Sequence, residues 1–87
     1  MKFRAGRIVA TPDALEAVPR MYINAALTRH LNGDWGNVSP ADKRENDRAL
    51  RQGERLLSSY HTPGGIKFWI ITEADRSATT ILLPSEY

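Results

Sequence analysis

Two short segments hold most of the side chains able to do chemistry. The first, Arg29-His30-Leu31-Asn32-Gly33-Asp34-Trp35-Gly36, places a cation, an imidazole, a carboxylate and an indole within eight residues. His30 has the residue type of a general acid or base, because an imidazole changes charge near neutral pH. Trp35 has the type that stacks on a base or fills a partner's pocket. A structural reading stands beside this one. His30 follows Ile23, Ala26 and Leu27 at helical spacing, so it falls on an apolar face as a hydrogen-bonded core residue. Asp34 then caps the turn and Trp35 fills the gap between two helices.

The second segment is Ile71-Thr72-Glu73-Ala74-Asp75-Arg76-Ser77-Ala78-Thr79-Thr80. As an anion site it would use Arg55 or Arg76 on a phosphate, the hydroxyls of Thr72 and Thr79 as donors, and Glu73 as a base. As a hairpin it needs only Asp75 to bond the turn and Arg76 to pair with Glu73 or Asp75. Other constellations are weaker. His30 and His61 lack the spacing of metal ligands. Gly64-Gly65 follows a proline in a turn and does not form a phosphate loop. Asn46 lies on an inward helix face, as a buried amide able to orient His30. No metal and no cofactor is expected.

These segments must be positioned by a small set of elements. Phe3 to Ala10 reads as a strand ending at Thr11-Pro12. Thr11 and Pro12 then start a short helix that Pro19 stops. A second helix spans Met21 to Leu31, with Asn32-Gly33 as its stop. Ser39-Pro40-Ala41-Asp42 opens a third, reaching Gln52 and ending at Gly53. Strands over Glu54–His61, Ile66–Glu73 and Ala78–Leu83 follow, as a meander. The expected fold class is therefore α+β, one domain over 1–87: an N-terminal strand and three short helices packed on an antiparallel sheet of three to four strands.

Four-residue loops in both hairpins would pair His61 with Ile66 and Glu73 with Ala78. That register sets Arg55, Thr72 and Thr79 in a row on one face. It sets Leu56, Tyr60, Trp69, Ile71 and Leu82 on the other. Three short helices cover one face and hardly both. The face bearing Trp69 and Tyr60 is therefore expected to be an interface, with a protein partner or a homodimer, or to lie under the N-terminal segment.

Composition bounds the rest. The 87 residues include no cysteine, which excludes disulfides, thiolate catalysis and Cys-ligated zinc. Met1 reads as the true start, and no apolar run has the length of a membrane span or follows the basic N-terminus as in a signal peptide. A cytoplasmic location is expected. The net charge is +2, concentrated mildly toward the N-terminus, which is too little for the basic stripe of a nucleic-acid binder.

Several stretches taken together resemble a family of small bacterial proteins associated with plasmids, prophages and other mobile elements. They are Arg29-His30-x-x-Gly33-Asp34-Trp35-Gly36; Asp42, Asn46 and Ala49-Leu50; Arg55-Leu56-Leu57-Ser58-x-Tyr60; and Trp69 through Thr80 with Leu82-Leu83-Pro84-x-x-Tyr87. The resemblance covers nearly the whole chain. It implies a mobile-element accessory protein that binds a protein partner, as an inhibitor of a host defence complex would. It carries context rather than an activity. The architecture is also similar to the barnase, EndoU and RelE-like ribonucleases, in which a helical His faces a sheet bearing Arg and Glu. That likeness implies metal-independent RNA cleavage, with His30 and Glu73 as the acid/base pair and Arg55 or Arg76 on phosphate. A structural homodimer is the third reading.

Overall fold

The computed structural model describes Met1–Tyr87. Along the chain come β1 (Arg7–Ala10), α1 (Pro12–Ala17), α2 (Arg20–Leu31), α3 (Pro40–Gln52), β2 (Leu56–His61), β3 (Lys67–Thr72) and β4 (Ala78–Leu82), then a 3-10 turn over Pro84–Glu86. The fold is α+β. The helix boundaries follow local chemistry. Thr11 Oγ1 accepts from the Ala14 amide and Ser39 Oγ from the Asp42 amide, each with proline in the first turn. No helix is long and apolar enough to cross a membrane.

The sheet order is β1-β4-β3-β2. The β2–β3–β4 meander is antiparallel, and β1 adds to it in parallel with β4, so the sheet is mixed. Only Arg7–Ala10 of the expected Phe3–Ala10 strand joins it. Lys2 instead donates its amide to the Leu31 carbonyl, and Phe3 packs against His30 and Trp35.

One hairpin has the expected register and the other does not. Thr72 pairs with Thr79, which continues to Glu73 and Ala78 as anticipated. In the β2–β3 hairpin His61 pairs with Lys67, not Ile66, because the loop holds three residues rather than four. Thr62 N–H bonds the Ile66 carbonyl, Gly65 N–H bonds the Thr62 carbonyl, and Gly65 takes φ +87°. A turn closed by a left-handed glycine is the usual three-residue hairpin loop. The one-residue difference turns every β2 side chain to the opposite face. Leu56, Ser58 and Tyr60 therefore join Phe68, Ile70, Thr72, Thr79 and Ile81 under the helices, all buried. Arg55 and Leu57 move to the far face, away from Thr72 and Thr79.

The main core forms where Ala14, Val18, Ile23 and Ala26 of α1 and α2 meet Tyr60, Phe68, Ile70 and Ile81. A second cluster of Trp35, Ala49 and Leu56 seats α3. The far face is covered in part by the last residues. Trp69 meets Tyr87 edge-to-face at 5.5 Å, and Ile71 and Leu82 are buried. The expected covering by the N-terminal segment is thus replaced by covering from the C-terminal turn. Thr11 Oγ1 and the Leu83 amide both donate to the Glu86 carboxylate, and these two bonds hold that turn in place.

Candidate functional site

His30 sits in the last turn of α2 and is fully buried. Nδ1 lies 2.5 Å from Ser58 Oγ and Nε2 lies 2.8 Å from Thr72 Oγ1. Thr72 Oγ1 is 2.8 Å from Thr79 Oγ1, which donates to the Ala5 carbonyl at 2.7 Å. The direction of every bond follows from counting protons, since each hydroxyl has one to donate. Thr79 gives its proton to Ala5, so it accepts from Thr72. Thr72 must then accept from Nε2–H, and Ser58 donates to Nδ1. The imidazole is the neutral Nε2–H tautomer. Its surroundings agree: burial, and secondarily the Arg76 charge, lower its pKa to about 4. The rings of Phe3 and Trp35 close over it at 5.4 and 5.7 Å.

This arrangement corrects three expectations at once. His30 does not reach a cleft, and both of its nitrogens are engaged. Thr72 and Thr79 are sealed in the same chain of bonds and offer no donor to a bound anion. Asn46 does not orient His30. Its amide donates to the Leu57 carbonyl and accepts from the Leu57 amide, joining α3 to the edge of β2.

The loop after α2 is held the way the structural reading anticipates. Arg29 makes a bidentate pair with Asp34, and Asp34 also accepts from the Gly36 amide. The mutual bond lowers the Asp34 pKa and raises that of Arg29. Trp35 is buried between α2 and α3, its indole N–H donating to Asp47 at 2.9 Å. Tyr60, expected at a binding surface, is buried and donates to the Asp34 carbonyl at 2.6 Å, with Arg29 over its ring. Burial raises its pKa to about 12. Gly36 is where this loop bridges to β2. A Cβ there would overlap the Ser59 carbonyl.

Glu73 and Arg55 do not converge with His30, and Arg76, whose charge reaches the imidazole, lies over the Phe3 ring that packs on it and makes no bond to it. Arg55 and Glu73 lie on the far face, 3.9 Å apart and largely solvated. Arg76 turns its guanidinium onto the carbonyls of Glu54 and Glu73 at 2.7 and 3.0 Å. Those bonds hold its left-handed backbone, φ 61°, which a non-glycine residue adopts at a cost. Arg76 therefore fastens the β3–β4 turn to the start of β2 and does not pair with Glu73 or Asp75 by its charge. Asp75 bonds the Ser77 amide, as a turn residue does. No three His, Asp or Glu side chains converge.

The accessible chemistry lies on the far face. Half-buried Trp69, exposed Tyr87 and exposed Arg55 form one cluster there. Arg55 donates to the Tyr87 hydroxyl at 2.9 Å and lies over its ring at 5.1 Å. The cluster borders a shallow groove of 290 Å³ between the C-terminal turn and α3, lined by Val38, Asp42, Asn46 and Leu57. Of the sequence-derived candidates, only Trp69, Arg55 and Glu73 fall at this surface. Tyr87 was not anticipated as a site residue. The readable signal was Leu83-Pro84-Ser85-Glu86, a proline followed by a glutamate placed to cap a turn, which folds the chain back instead of merely ending the strand.

Comparison with protein-family models, curated proteins and solved structures gives no match.

Proposed function

We propose that the protein is a protein-binding module that presents the Trp69–Tyr87–Arg55 face to a partner. One observation carries this reading. His30, Thr72 and Thr79 are consumed inside the fold, which leaves Glu73 and Arg55 without an imidazole partner, while the accessible cluster combines Trp, Tyr and Arg. These three residue types dominate the energetics of protein interfaces, because each adds a large rigid contact area and a polar group to a desolvated patch. The ribonuclease reading loses support from the same geometry, since acid–base transfer across one phosphate needs both groups within hydrogen-bond reach. The motif resemblance supports a mobile-element accessory role in the cytoplasm, with a host defence complex as the class of partner.

The test is binding of the tagged protein to purified bacterial defence complexes, using wild type, Trp69→Glu and Tyr87→Ala. The expected result is a stoichiometric complex with wild type, weakened by at least about tenfold in each variant while circular dichroism is unchanged. A complex insensitive to both substitutions would move the interface elsewhere. EDTA-resistant cleavage of RNA by wild type would replace this reading with an enzymatic one.

A further inference from the structure

The two edges of the sheet are finished differently. At the β2 edge, the outward backbone groups of Leu57 are taken by the Asn46 amide. Those of Ser59 are taken by the Trp35 carbonyl and the Asn37 amide. At the other edge, β1 has β4 on one side and nothing on the other. Arg7 and Thr11 donate inward, to Ser77 and Ile81 carbonyls. Strand alternation then points the N–H and C=O groups of Ile8 and Ala10 away from the sheet. Beside this open edge, a largely apolar groove of 210 Å³ lies between β1 and the two helices, lined by Ile8, Ala10, Leu15 and Leu27 among others, with Arg20 and Asn24 as its polar lining. Ile8 is 49% exposed and Leu15 45%. Unpaired backbone flanked by exposed apolar side chains is a template for another strand.

We infer that a second copy of this chain fills the edge, β1 pairing antiparallel with β1 about a two-fold axis at Val9. Parity confines the axis to a residue, and Val9 is the one that pairs both outward-facing residues, Ile8 and Ala10, with each other. An axis normal to the sheet pairs residues of the same face, so it passes through a residue and not between two. With Val9 opposite Val9, Ile8 stands opposite Ala10 of the second copy. These are the residues whose backbone groups point outward, so each such pair exchanges two N–H···O bonds. The exposed Ile8 side chain then lies over the small Ala10 and against the groove of the other copy. Knob and hole occur on the same patch, which is what a two-fold interface requires. Arg7 meets Thr11 rather than another arginine, so like charges are not opposed. The closed β2 edge stops the assembly at a pair and prevents an open-ended ribbon.

This pairing is independent of the partner surface proposed above and has a consequence for it. The two-fold axis leaves both Trp69 faces on the same side of one continuous sheet. They stand about five strand spacings apart, on the order of 24 Å. A partner with repeated sites would meet two linked surfaces.

The experiment is light scattering and amide hydrogen exchange over a concentration series, with wild type, Ile8→Lys and Ala10→Pro. A proline whose position has an outward N–H removes no bond within the monomer. The expected result is a wild-type dimer whose Ile8 and Ala10 amides exchange at least about tenfold more slowly at high concentration than at low. Both variants should be monomers that melt as wild type does at the low concentrations where it is dissociated. A wild type that stays monomeric with fast exchange at both amides would overturn the inference, as would a dimer that survives both substitutions. If a variant does not fold, the wild-type exchange pattern decides alone.

Discussion

The two faces of the sheet carry similar residue types to opposite ends. Under the helices, an imidazole, three hydroxyls, an indole and a phenol are all paired inside the fold, and no buried side-chain polar atom lacks a partner. On the far face, an indole, a phenol and a guanidinium meet one another at the surface and remain reachable. Residue chemistry alone does not mark a site. What separates the faces is whether tertiary structure has already satisfied the polar groups. A buried network so satisfied specifies one arrangement of its elements. Here it ties α2, β2, β3, β4 and the N-terminal segment together through a single ring.

The comparison breaks most sharply at His30. Replacing it by leucine keeps an apolar volume but leaves the Ser58 hydroxyl without a partner and Thr72 with only its bond to Thr79. An unsatisfied buried group costs roughly 1–3 kcal/mol and the lost bond to Thr72 about 1 kcal/mol more, so His30→Leu should destabilise by about 2–4 kcal/mol in urea denaturation. A loss under about 1 kcal/mol would mean that water replaces the ring and the network is not structural.

A change of pH probes the same ring with a somewhat smaller effect. His30 titrates at about 4 in the fold against 6.5 in an unfolded chain. As pH falls below 6.5, the unfolded state takes up the proton first. The stability is therefore complete above that pH and is lost progressively toward pH 4. Between pH 7 and 4.5 the loss should be about 2–3 kcal/mol. The depressed carboxylates of Asp34 and Asp75 titrate at lower pH, outside this window. Denaturation midpoints at pH 7, 5.5 and 4.5 measure it. A flat profile would put the imidazole in contact with water.

The smallest expected effect is on the far face. Tyr87→Ala removes an exposed ring and its edge contact with Trp69, so it should cost no more than about 1 kcal/mol. Its melting temperature should stay near wild type while partner binding falls. A loss comparable to that at His30 would make the C-terminal turn part of the core and erase the contrast.

Much of the fold was readable because it is set by neighbours in sequence. Thr11-Pro12, Ser39-Pro40 and Gly53 begin and end helices through bonds within four residues, and they do so at the anticipated places. The β3–β4 register followed from the Asp75 turn. Asp34 and Trp35 likewise took the turn and packing roles that their loop suggested.

Three matters lay beyond the sequence by itself. The β2 register depended on whether the Thr62-to-Ile66 turn closed over three residues or four, and both are compatible with Pro-Gly-Gly. Because side chains alternate, that single residue decided which of Leu56 and Leu57 is core, and it parted Arg55 from Thr72. The role of His30 depended on Ser58 and Thr72, which lie 28 and 42 residues away and meet its ring only once that register is set. The position of β1 beside β4 depended on bringing together residues some seventy positions apart. Local propensity contains no term for such pairings. The tertiary structure decides them, by burying one set of side chains and leaving the other in water.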